Sequence, residues 1–236
     1  TDEEKSADKK LIAWKEEICN NEFLNRAIHN FFDNKSVMES SKLYKALNSM
    51  PKGAIHHLHT TAANPVDAYV KLTYDDRVYY SAKERLFKVY PLHEDVPDGY
   101  LKCTKIREYS KSKEEFDAKM RNEILLGKHQ CEGDSHDIWK HFQHKFTKVG
   151  ELGKFYPFFK ELTKTALESC IAQNVFIVEY RHISGMIFDE NRQQLPFIEE
   201  MRIIRSIVDE LKQITPHFDF KLILTGLKIV GKKHID

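Results

Sequence analysis

The sequence predicts an α/β protein with parallel strands. Three short apolar runs carry that expectation: Ala54–His59, Val175–Tyr180 and Phe220–Thr225. The last two each follow a long stripe of apolar residues at three- and four-residue spacing. Helix, all-apolar short strand, helix, strand is the pattern of parallel βα units.

Residues 8–49 read as helical, without a strand signal. Leu11, Trp14 and Ile18, then Phe23, Leu24, Ala27, Ile28 and Phe31, fall at helical spacing. Asn20-Asn21 and Asp33-Asn34 are the expected breaks, and Ser40-Ser41 caps a third helix through Leu43, Leu47 and Met50.

Pro51 and Gly53 then punctuate the chain ahead of Ala54-Ile55-His56-His57-Leu58-His59. Strict alternation turns Ile55, His57 and His59 one way and Ala54, His56 and Leu58 the other. His-x-His on a strand aims two imidazoles at one point from a stiff base, as a divalent metal at the mouth of a barrel requires. Asn64-Pro65 starts a short helix through Val66, Tyr69 and Val70.

Residues 72–112 turn irregular, with strand-like runs at Val78–Tyr80 and Leu86–Tyr90 and a basic end from Lys102 to Lys113 that reads as a solvated helix face. So long a connection inside a βα unit points to a purpose. Phe116, Met120, Ile124 and Leu125 give a short amphipathic helix, and Trp139, Phe142, Phe146 and Val149 another stripe. Phe158, Phe159, Leu162, Ala166, Leu167 and Ile171 precede the second strand. Met201, Ile204, Ile207, Val208 and Leu211 precede the third.

Composition excludes several classes. Lys+Arg 37 against Asp+Glu 36 leaves net +1, which argues against a nucleic-acid or membrane-surface partner. No run approaches the roughly 18 apolar residues of a membrane span. The polar start, without an initiator Met, suits a mature chain freed of a signal peptide. Cys19, Cys103, Cys131 and Cys170 show no C-x-x-C spacing, and their pairing stays open. Asn34-Lys35-Ser36 is a glycosylation sequon. His129, Cys131, His136, His141 and His144 form a second histidine-rich group, read as surface histidines around a loop.

The string Met50-Pro51-Lys52-Gly53-Ala54, with His57-Leu58-His59, resembles the first strand of the adenosine deaminase family, specifically its secreted growth-factor branch. Val175–Arg181, with Glu179-Tyr180-Arg181, resembles the family's second strand, and Phe218–Thr225 its third. Asp137–Phe142 resembles a Trp-containing helix start of that branch. The resemblance implies the N-terminal part of a (β/α)8 TIM-type barrel, with about three of the eight strands. It further implies an N-terminal helical arm at 1–49 that dimerises, a barrel portion at 50–236, and a receptor- or glycosaminoglycan-contacting insertion at about 72–112.

The same resemblance implies a secreted enzyme that converts adenosine to inosine, with zinc activating the attacking water. It carries His57 and His59 over as zinc ligands and Trp139 as a substrate-pocket residue. Thr60 stands where the family has a substrate-contacting acid. The branch has a disulfide in its insertion, where only Cys103 falls; a Cys103–Cys131 bridge and free thiols both remain open. The family's His-Ala-Gly-Glu and Ser-Asp-Asp stretches are missing from this sequence. No catalytic residue is therefore assigned, and the chain alone is expected not to turn over adenosine. The alternative is a non-catalytic extracellular binding or growth-factor-like protein.

Overall fold

The computed structural model describes residues 1–20, 31–60, 62–91, 95–131 and 133–226. It divides into two compact units, Thr1–Lys52 and Gly53–Asp236.

In the first unit, α1 (Asp2–Asn20) starts with Asp2, Glu3 and Glu4, acids that favour a helix N-terminus. Helix α2 (Phe31–Ser40) runs straight through Asp33-Asn34, where a break was expected. Two such residues cost a helix only about 0.7 kcal/mol each, too little to end it. Ser41 caps α3 (Lys42–Ser49) by accepting the Tyr44 N–H at 3.1 Å, as its sequence position suggests. Asn34 is buried and helical, a poor glycosylation acceptor despite its sequon. The expected stripe Phe23, Leu24, Ala27, Ile28 lies outside the described residues.

The second unit holds two sheets. Strands β1 (Ile55–His59), β5 (Ile177–His182) and β6 (Asp219–Leu224) form a parallel sheet in the order β1-β5-β6. Helix α8 (Tyr156–Ala172) leads into β5, and α9 (Phe197–Ile214) leads from β5 to β6. Both pack on one face of the sheet, burying Phe159, Leu167, Ile204, Ile207 and Leu211 against Val178, Tyr180 and Phe218. Each such side chain contributes roughly 1.5–3 kcal/mol on burial. The opposite face carries Glu179, Arg181 and Lys221, and Lys221 keeps 67% of its side chain exposed.

The insertion is a folded lobe, where the sequence suggested irregular chain. Helix α4 (Val66–Leu72) precedes it; β2 (Val78–Ser81), β3 (Leu86–Val89) and β4 (Leu101–Lys102) form an antiparallel sheet in the order β3-β2-β4. Helices α5 (Cys103–Glu108) and α6 (Lys113–Ile124) close over it. Val78, Phe87, Val89, Cys103, Phe116 and Met120 are fully buried in its core. Helix α7 (Ser135–Val149) follows, and its expected apolar stripe is buried only at its end: Val149 is inside, while Trp139 and Phe142 are 59% and 37% exposed. Cys103 and Cys131 are free, so the bridge left open above is not formed. Burial pushes the Cys103 thiol up to about 12.

Candidate metal centre

Strand β1 pairs with β5 through Ile55↔Val178, Leu58↔Tyr180 and His59↔Arg181. Three steps along β1 thus match two along β5, so His56 and His57 together oppose Glu179 in a β-bulge. This corrects the strict alternation expected from sequence. Ile55 and Leu58 both pack into the core with α8 and α9, and His56 is exposed beside Glu179 instead of sharing a side with Leu58. Its Nδ1 lies 3.5 Å from Glu179 Oε1.

Beyond the bulge, alternation resumes. His57 and His59 fall on the side of the sheet away from the helices, and their Nε2 atoms meet at 2.8 Å. The ring centroids are 4.8 Å apart. His59 ends the strand, so the pair sits at the carboxyl end of a parallel sheet, where ligand sites of such folds lie.

Arg181 fixes this geometry. A bulge leaves a residue out of the ladder, and the Arg181 guanidinium donates to the His56 carbonyl oxygen there. The Thr60 N–H continues the pairing by donating to the Arg181 carbonyl at 3.0 Å. Burial, then His57, then Arg181 lower the His59 pKa, which keeps that imidazole neutral and free to donate its lone pair.

Two converging imidazoles fit zinc, a borderline-soft cation commonly held by histidine. Among the described residues no third His, Cys, Asp or Glu joins them. The one group of three that comes within ligand distance is Asp134, His136 and Asp137, all exposed. Asp134 is there as the N-cap of α7, its Oδ1 accepting the N–H groups of His136 at 2.8 Å and Asp137 at 3.1 Å. The histidine-rich group from His129 to His144 does not assemble as a ligand set. Trp139 stacks on Phe142 of its own helix, with centroids 5.2 Å apart and planes 24° apart.

A second polar centre, which sequence reading missed, stabilises the loop after β5. Glu200, in the first turn of α9, is completely buried. Its carboxylate accepts from His182 Nε2 at 2.9 Å, the Gly185 N–H at 3.1 Å and the Ile187 N–H at 3.3 Å. Gly185 takes φ 76°, in the left-handed region that favours glycine. The His182 Nδ1 is buried without a hydrogen-bond partner. The only sequence signal for Glu200 was an acid among the apolar residues of a helix start, which usually reads as a dipole partner.

Parallel βα units with helices on one face and paired histidines at the end of the first strand define an α/β protein. No family model matches the chain. Among curated proteins it is 25% identical over 193 residues to an adenosine deaminase of Phlebotomus duboscqi, covering 78% of this chain and 37% of that protein. It is 22% identical over 214 residues to adenosine deaminase 2 of Homo sapiens, covering 86% and 41%. Adenosine deaminase 2 of Dictyostelium discoideum is 27% identical over 173 residues, covering 68% and 31%. These relatives, at 22–27% identity over most of the chain, support the adenosine deaminase family and are consistent with its growth-factor branch. It spans about two fifths of the length of the curated relatives it matches.

Proposed function

We propose that this chain forms the N-terminal part of a secreted, zinc-dependent adenosine deaminase, built on the opening strands of a (β/α)8 barrel. The observation that carries this reading is the convergence of His57 and His59 at the carboxyl end of β1. Those two residues hold the zinc, which when bound supplies the Lewis acidity for hydrolytic attack on the purine. Arg181 keeps the pair aligned through the His56 carbonyl. Thr60 offers a hydroxyl to the nucleoside in place of an acid, and Trp139 an exposed indole face. Under the same reading the 1–49 arm makes a homodimer and the 72–112 insertion contacts a receptor or glycosaminoglycan.

Catalytic zinc takes three protein ligands, and the described residues bring together two. The further ligand and the proton donor come from elsewhere in the whole protein, so the 236-residue chain alone binds metal without turnover. The test is zinc content by elemental analysis of this chain and its His57→Ala variant, beside adenosine turnover by the whole protein. The variant is expected to lose the metal; undiminished zinc in His57→Ala ends the assignment. Turnover by this chain alone contradicts the two-ligand reading. A whole protein that binds adenosine without converting it favours the non-catalytic alternative.

A further inference from the structure

Away from the histidine pair, cations from α7 and the β2–β3 turn crowd Glu123 in α6. Lys148 Nζ of α7, its side chain 1% exposed, lies 2.6 Å from Glu123 Oε2. Arg85, in the β2–β3 turn, reaches the same oxygen at 3.2 Å. Tyr80 of β2 adds its hydroxyl. Lys145, three residues before Lys148, is half-buried in the same cluster, but its Nζ donates to the Glu123 backbone carbonyl at 3.1 Å. No carboxylate pairs with it among the described residues. Three strong cations therefore share one carboxylate, with His144 beside them. Burial and then Lys148 pull the Lys145 amine down to about 8, leaving a sizeable neutral fraction at physiological pH.

We propose that Lys145 is a carbon dioxide-binding site, modified as a carbamate. The neutral Nζ donates its lone pair to the carbon of CO2 and a nitrogen–carbon bond forms. One C=O electron pair moves onto oxygen, and a proton leaves the nitrogen for solvent, giving –NH–COO⁻. The product replaces the third of three cations sharing the Glu123 carboxylate with an anion among the other two, Arg85 and Lys148. Like-charge repulsion becomes attraction, which is the driving force the cluster supplies. An ordinary lysine such as Lys140 is exposed and lacks that burial.

The test exposes the chain to isotope-labelled carbon dioxide near neutral pH, traps carbamates with a trialkyloxonium reagent and maps them by mass spectrometry. Trapped carbamate is expected at Lys145 at several-fold the yield of Lys140. It should vanish in Lys145→Arg, which keeps the charge and the fold. Arg85→Gln, at a half-exposed side chain, should lower the Lys145 yield several-fold by removing a counter-cation. Equal labelling of Lys140 and Lys145, or none at Lys145, overturns the proposal. So does a Lys145 yield unchanged in Arg85→Gln.

Discussion

Glu123 decides more of the insertion's stability than its neighbours in sequence suggest. Burial by itself would raise its carboxyl. Lys148, then Tyr80, and Arg85 outweigh burial and hold it below its ordinary 4.5. A depressed carboxylate pKa contributes stability that is complete above the ordinary value and is lost as pH falls through the folded one. The unfolding free energy should therefore decline below about pH 4.5, and Glu123→Gln should flatten part of that decline. At neutral pH the same substitution strands the buried Lys148 ammonium and should cost about 3 kcal/mol. Urea denaturation at several pH values checks both; a pH profile identical to that of the parent protein would refute the ion-pair account. At this scale the histidine pair was legible, because period-two alternation fixes residues 57 and 59 on one side without reference to the rest of the chain. The bulge was not. It exists because Ile55 and Leu58 both bury against α8 and α9, and that demand comes from helices far along the sequence.

Helix α9 and the loop after β5 are joined by Glu200. Truncating that side chain leaves the Gly185 and Ile187 N–H groups and the His182 ring without their acceptor. Glu200→Ala should cost about 3 kcal/mol and speed amide exchange at Gly185 and Ile187. Unchanged exchange at both amides would show that the loop is held by something else. The apolar stripes located α8 and α9, since burial of one helical face repeats every three to four residues. The strand positions were legible to within about two residues: β5 begins at Ile177, not Val175. The α7 stripe is genuine, yet Trp139 and Phe142 stay exposed, stacked on each other along their own helix. Periodicity reports what a helix can bury, and partners decide what it does bury.

Across the chain, the two compact units meet at Met50-Pro51-Lys52-Gly53, four exposed residues without regular structure. Limited trypsin digestion should cut first after Lys52 and release a fragment beginning at Gly53. The 72–112 lobe should resist, given Val78, Phe87, Val89 and Cys103 at its centre. A first cut within that lobe would contradict its packing. What the sequence determined by itself is local and periodic: three short strands, the helices before them, and two imidazoles on one side of β1. Bond geometry and the twofold and 3.6-fold repeats of the backbone enforce these without distant help. Only the tertiary structure decided the bulge opposite Glu179, the Arg181 clamp on His56, the folded insertion, the unbridged Cys103 and Cys131, and the Glu200 and Glu123 centres. Each depends on groups many positions apart meeting in a dry interior, where a polar atom without a partner costs too much to persist. Residue spacing carries no record of such meetings.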